Sequence, residues 1–390
     1  MIYIFLLLLI LIGIYLYDVR GGKRNKVEFF YFVIFLLSIT TGLSYRLGID
    51  MTRYMDNYVD YKSLFKIDSF DYFFSFQGEA PLWVFTASCF RTFGLPFFIF
   101  HLFQTLFINS AIAFVIRKYA ACSFVALLLY VVTLLPTFNY EIMRESLAVA
   151  TFLYAVPYLL RSQYIHYYCL AFIAFGFHLS AFVVILVPLV KLIPNNKLGL
   201  FVGVSLALLI LFFADVFRSQ LLMLLDIDIF ADKTLSYFSN EKYSTSSLSI
   251  SFLFNLLFYI LLPSFLYIKY VRSHDVKKVQ IFRLVLLYIF VYCCTIVVPI
   301  FYRINNYFTI FFLIYLSGFI TIKERLLVLS RSTTRFLGYI SISLFIFMKI
   351  HAYCLPLFDG CNLPSFVRYY PYSSIFTKQL DKDREKLYLY

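Results

Sequence analysis

Apolar runs long enough to cross a bilayer recur from one end of this chain to the other, and that repetition limits the fold more than any motif does. "MIYIFLLLLILIGIYLY" opens the chain, and "FFYFVIFLLSITTGL" follows soon after. A helix needs roughly 17–25 such residues to cover the ~30 Å hydrocarbon layer. The 390 residues are 62% hydrophobic and 14% charged, with mean hydropathy +0.83. A soluble domain carries about 25% charged residues, so no long soluble domain is expected. The reading is all-α: a polytopic integral membrane protein forming one membrane domain over residues 1–390. About twelve transmembrane helices are placed at 1–17, 29–45, 95–116, 121–137, 142–160, 164–176, 177–192, 198–214, 249–270, 280–302, 304–322 and 335–351. The first segment lacks a basic leader and a small-residue cleavage site, so it reads as a retained helix.

Charge orients these spans. One set of short connections holds Arg20, Lys23, Arg24 and Lys26, then Arg117 and Lys118, Arg161, Lys191 and Lys197, and the basic clusters at 269–283 and 323–335. Its only acids are Asp18, Glu28, Asp275 and Glu324. The positive-inside rule places this set in the cytoplasm. The opposite face, with both termini, then lies outside. It carries three long segments: 46–94, 215–248 and the tail 352–390. Within the first, "APLWVFTASCFRTF" is too short to span and carries Arg91. It reads as an interfacial helix with Trp83, the single tryptophan, at headgroup level. The last residues, "KQLDKDREKLYLY", read as a solvated helix or a disordered end. A net charge of +13 would suit nucleic acid only as a basic patch on a folded surface. Here the cations are scattered between apolar runs, so no nucleic-acid partner is expected.

Isolated charges gather on the outer face. Arg46 ends the second span, Arg144 opens the fifth, His178 opens the seventh and Arg303 opens the eleventh, while Asp50, Arg53 and Glu79 lie in the first outer loop. Ionisable side chains at membrane depth are costly and usually face a working cavity. Several arginines there suit a phosphate or diphosphate, because guanidinium offers paired donors and keeps its charge in a partly dry site. Helix N-termini near Arg144, His178 and Arg303 add partial positive charge. A lipid diphosphate would set its head at this depth.

Six motifs in order, from residue 45 to 376, then carry a resemblance: "YRLGIDMTRY", "GEAPLW", "IMRESLAVA", "FHLSAFV", "FYRINNYF" and "RYYPYSSIF". Together they resemble the signature of the EpsG/Wzy-type polysaccharide polymerases. Met51 stands where that family usually has an aromatic, Ala80 separates Glu79 from Pro81, and Glu145 replaces a common Gln. The resemblance implies a helical membrane enzyme similar to the GT-C class. It would join oligosaccharide repeat units carried on undecaprenyl diphosphate, outside the plasma membrane, without a cofactor and with a chain-length regulator as a partner. On that reading Arg144 and Arg303 stabilise the leaving diphosphate, and Arg46 and Arg53 assist. His178 serves as base, with Asp50 or Glu79 as the alternative base or as orienter of the acceptor. Tyr54, Tyr302, Tyr370 and Tyr372 line the sugar groove.

Other functions remain open at this stage. A flippase would spread its charges through the membrane depth, an O-antigen ligase would differ in its acceptor, and an acyltransferase would use a histidine with an acyl donor from the cytoplasm. Asp226 and Asp228 form an Asp-x-Asp pattern, but they fall outside, away from nucleotide sugars, so no metal site is expected. Cys354 and Cys361 both lie in the outer tail, where a disulfide between them is permitted.

Overall fold

In the computed structural model, every regular element among the described residues is helical. Those residues are 2–194, 196–213, 256–272, 276–321, 331–356 and 363–387. Asp226, Asp228, Cys361 and the segment 215–248 lie outside them. Residues 1–185 with 337–390 form one compact unit, and 186–336 form another.

The first unit contains α1 (Ile2–Gly13), α2 (Lys26–Gly42), α3 (Asp50–Tyr58), the single turn α4 (Tyr72–Ser75), α5 (Pro81–Thr92), α6 (Phe97–Tyr119), α7 (Ser123–Thr133), α8 (Met143–Leu160) and α9 (Tyr164–Phe177). The short α10 (Phe182–Leu186) closes this stretch. The second unit is built on α11 (Lys197–Phe212), α12 (Leu262–Arg272), α13 (Val276–Val297) and α14 (Tyr302–Ser317). The chain returns to the first unit through α15 (Arg331–Cys354) and ends in α16 (Lys382–Leu387).

Among the described residues, four segments are long and apolar enough to cross a membrane: Ile2–Val19, Phe97–Tyr119, Gln280–Val297 and Phe336–Cys354. Five further apolar helices are shorter. Most boundaries fall near the apolar runs, but local chemistry cuts several helices short. Pro136 cannot donate to the carbonyl of Val132, so α7 stops after 11 residues, and the hydroxyl of Tyr353 donates to that carbonyl at 3.3 Å. His178 turns extended (φ −159°, ψ 138°) and ends α9 after 14 residues. Along α1, Ile4, Phe5, Leu8 and Ile12 remain exposed. So large an apolar surface suits lipid and not water.

Close helix contacts in the first unit rest on small residues, as is common where lipid replaces water as solvent. A Cβ on Gly42 would stand 2.8 Å from the Cα of Leu102, which lets α2 press against α6. At the start of α7, Asp18 accepts from the N–H groups of Phe124 (2.8 Å) and Val125 (3.0 Å) and pairs with Lys26 at 3.1 Å. It therefore supplies two of the otherwise unmade bonds of that helix start. Between α7 and α8 the chain makes a π-helical turn, Thr137–Glu141. It is anchored from within. Tyr130 donates to Asn109 at 2.6 Å, Asn109 donates to Asn139 at 3.3 Å, and a ring nitrogen of His101 meets the Asn139 carbonyl at 2.9 Å. All four side chains are buried. This turn sets the position of Glu141 and, immediately after it, Arg144.

The C-terminal tail ends in a helix whose Lys382, Asp383 and Lys386 are exposed, as a solvated helix requires, but one of its charges is not solvated. Arg384 is 2% exposed. Its guanidinium donates to the carbonyls of Val367 (3.1 Å), Arg46 (3.3 Å) and Pro371. Burying a charge is costly unless its donors are satisfied, and three carbonyls do so here. This one buried charge docks the tail.

Candidate functional site

Glu79 and Arg144 meet in the first unit. Pro81 at the first turn of α5 holds the preceding residues extended, which brings Glu79 back over α3. Its carboxylate is buried and accepts the hydroxyl of Tyr61 in a short hydrogen bond, while the indole N–H of Trp83 donates to that same hydroxyl at 2.8 Å. Burial, and then the charge of Glu79, hold the Tyr61 phenol protonated well above its ordinary range. Tyr61 is thus a fixed donor. The other carboxylate oxygen faces Arg144 Nη1 at 3.6 Å. The Arg144 guanidinium lies 5.8 Å from the centre of the Tyr54 ring, and that ring lies 5.5 Å from Trp83. Arg144 keeps 28% of its side chain exposed against 5% for Glu79. The arginine therefore presents an open edge backed by a buried acid and an aromatic face. Asp50, exposed at the first turn of α3, lies one helical turn before Tyr54 and acts on its phenol electrostatically. Burial is the larger influence on Tyr54 and raises its pKa.

A second acid organises the adjoining loop. Glu141 accepts the backbone N–H groups of Ile49 (3.1 Å) and Asp50 (3.2 Å) with one oxygen. With the other it accepts from Arg368 (3.2 Å) and the hydroxyl of Tyr369 (3.0 Å). Gly48 sits at φ +82°, and a Cβ there would come 2.8 Å from the Cβ of Tyr140. The close turn at Gly48 is what lets the chain reach Glu141 and begin α3 with Asp50.

The remaining sequence candidates have different surroundings. Arg46 forms a two-pronged pair with Glu385, at 3.2 and 2.9 Å. Arg53 is exposed on α3. The hydroxyl of Tyr372 donates to the Thr40 carbonyl at 2.9 Å, and its ring packs edge-on against Tyr3. Tyr370 is exposed. His178 accepts the N–H of Ser180 on Nδ1 at 3.2 Å, with the Ser180 hydroxyl 2.7 Å away. Tyr302 and Arg303 belong to the second unit, where the Arg303 guanidinium lies 5.8 Å from the Tyr302 ring centre. Trp83, expected at headgroup level, is 1% exposed and packs on Phe100 at 5.0 Å.

The cluster thus offers one accessible guanidinium, two carboxylates and an aromatic wall, a set suited to an anionic sugar derivative. The EpsG family matches residues 27–374, most of the chain. The chain belongs to the EpsG family. Its membership suggests a polysaccharide-polymerase type of function, and its apolar helices fit a membrane protein. No curated protein and no solved structure matches this EpsG-family chain. The family motifs around Asp50, Glu79 and Arg144 are the ones that converge. Sequence reading missed Tyr61 and Glu385, which carry no local signal, and gave no role to Arg368 and Tyr369 although they open the motif "RYYPYSSIF"; all four hold the charged groups in place.

Proposed function

We propose that this protein is a membrane glycosyltransferase that joins oligosaccharide repeat units on undecaprenyl diphosphate, on the outer face of the bacterial plasma membrane. The observation that carries the reading is the Arg144 guanidinium, half-open and backed by Glu79 and Tyr54. The acceptor sugar hydroxyl attacks the anomeric carbon of the donor glycan. A C–O bond forms there as the bond to the lipid diphosphate breaks, and the electron pair leaves with the diphosphate. Arg144 stabilises that developing charge, as preorganised donors in a partly dry site do. Arg303 is proposed as a further phosphate ligand on sequence grounds.

The acceptor proton goes to a carboxylate. Glu79 is already engaged by Tyr61 and Arg144, so it serves as orienter, and the exposed Asp50 takes the proton. His178 is proposed as the alternative base, on sequence grounds. Tyr54 gives a sugar ring an apolar face.

The deciding experiment is the size distribution of surface glycan in the producing bacterium with and without this gene. Collapse of a long ladder to a single repeat, restored by the wild-type gene but not by Arg144→Ala, is the expected result. Loss of every repeat would indicate a flippase or ligase, and an unchanged ladder would indicate glycan modification such as acylation.

A further inference from the structure

A cavity of about 770 Å³ opens between α5, α6, α8 and α9. Asp50, Tyr54, Glu79 and Arg144 do not line it. Phe103, Phe107 and Phe114 form a strip along α6, facing Leu170 and Ile173 of α9. From Phe103 to Lys118 the strip runs about 22 Å by the rise of a helix. That exceeds the half-thickness of roughly 15 Å that one acyl chain occupies.

The end of the cavity distant from Phe103 is cationic. Lys118, in the last turn of α6, and Arg161, just past α8, both line it, and no carboxylate does. The two cations are near enough to act on each other electrostatically. Lys118 is drawn over the rings of Phe114 (5.1 Å) and Tyr119 (5.6 Å) at the cavity mouth. Placement at helix C-termini accounts for each cation singly. It does not account for two like charges converging on one apolar channel, an arrangement that an anion between them would favour. The same end of the helices gathers further positive charge. Arg117 lies 5.8 Å from the ring of Phe30 near the start of α2, and Lys26 joins Asp18 at the start of α7. Positive ends of this kind face the leaflet rich in anionic headgroups.

We propose that this cavity binds one anionic phospholipid, its phosphate held by Lys118 and Arg161 and one acyl chain laid along Phe114, Phe107 and Phe103. Charge complementarity selects this occupant over a polyisoprenyl chain. A glycan donor with its diphosphate at Arg144 would place only hydrocarbon against the two cations. The assignment does not depend on the glycosyltransferase reading and survives its failure.

Native mass spectrometry of the delipidated full chain, in neutral detergent, tests it. The probes are phosphatidylglycerol and phosphatidylcholine with the same acyl chains. Wild-type protein is expected to hold phosphatidylglycerol at least tenfold more tightly, since each basic residue contributes about a factor of five. The K118Q/R161Q double variant should lose that preference. R117Q, which removes the neighbouring cation outside the cavity, should keep it. Equal retention of the two lipids by wild type would overturn the proposal, as would an equal loss in R117Q, which would mean diffuse surface charge. A third contrary result would be undecaprenyl phosphate displacing phosphatidylglycerol equally well from wild type and from K118Q/R161Q, which would make the cavity a polyisoprenyl channel.

Discussion

Arg144 acts through a shape that lysine does not share. Its planar guanidinium faces the Tyr54 ring, meets Glu79 and still leaves an edge open. Arg144→Ala is expected to slow consumption of lipid-linked repeats by on the order of 100-fold, the usual loss when one preorganised donor is removed. Arg144→Lys keeps the charge but not the fork and should fall between the two. Single-turnover assays on membranes would rank the three, and equal rates would remove Arg144 from the reaction. Glu141 makes a structural counterpart, with four donors on one carboxylate. Glu141→Ala should cost about 3 kcal/mol or more, because it leaves two backbone N–H groups and the buried Tyr369 hydroxyl without an acceptor and removes the ion-pair partner of the partly buried Arg368. Glu141→Gln should cost less, and thermal unfolding in detergent would measure both.

Alkaline pH provides another residue-scale test. Burial pushes the Tyr58 phenol up to about 12 from its ordinary 10, although Arg91 pulls the other way. The unfolded chain loses this proton near pH 10, and the folded chain holds it to about 12. The stability tied to Tyr58 is therefore fully present below pH 10 and is lost as pH rises through that window. Tyr58→Phe should flatten this part of the stability curve. It should also lower stability at neutral pH by about 1 kcal/mol, because the hydrogen bond to the Leu95 carbonyl, 2.9 Å in length, is removed.

At the scale of elements, the C-terminal segment matters most. It meets the chain after α2 through paired backbone bonds, Tyr45 N–H to the Ser373 carbonyl and Ile375 N–H to the Leu43 carbonyl, both 3.0 Å. Gly48 N–H reaches the Arg368 carbonyl at 2.8 Å, and α16 adds Arg384 and Glu385. The tail thus holds the loop that carries Asp50. Arg384→Ala should destabilise the protein by roughly 2–3 kcal/mol, since three carbonyls lose a charged donor. The half-exposed pair of Arg46 and Glu385 should be worth about 1 kcal/mol or less in a double-mutant cycle. If Arg384→Ala unfolded at the wild-type temperature, the tail would be decoration and not a brace.

At the scale of the whole molecule, function depends on which way the helices cross. The proposed reaction needs Arg53 and Arg144 on the outer face and Arg117 in the cytoplasm. Cysteines placed singly at 53 and 117, in a background without other cysteines, make this measurable with an impermeant thiol reagent on spheroplasts. Position 53 should label in intact cells and position 117 only after permeabilisation. The reverse pattern would defeat an outer-face polymerase, because the charged cluster would then face the cytoplasm.

The amino-acid sequence alone determined the helical class and most helix positions, because apolar length and the charges between runs are local properties. It also marked Asp50, Glu79 and Arg144 as charges out of place in an apolar chain. Their arrangement required the folded structure. Tyr61 reaches Glu79 from 18 residues away, Arg368 reaches Glu141 from 227, and Glu385 reaches Arg46 from 339. No spacing rule links such pairs. One helix length was also decided late, where Pro136 interrupts an apolar run that hydropathy reads as continuous, whereas the break at His178 already stood between the expected spans 164–176 and 177–192. The tail shows the limit most clearly. Its charges read as solvated because composition prices them against water, and Lys382, Asp383 and Lys386 are exposed, whereas the fold supplies three carbonyls to the buried Arg384 and the Arg46 guanidinium to Glu385.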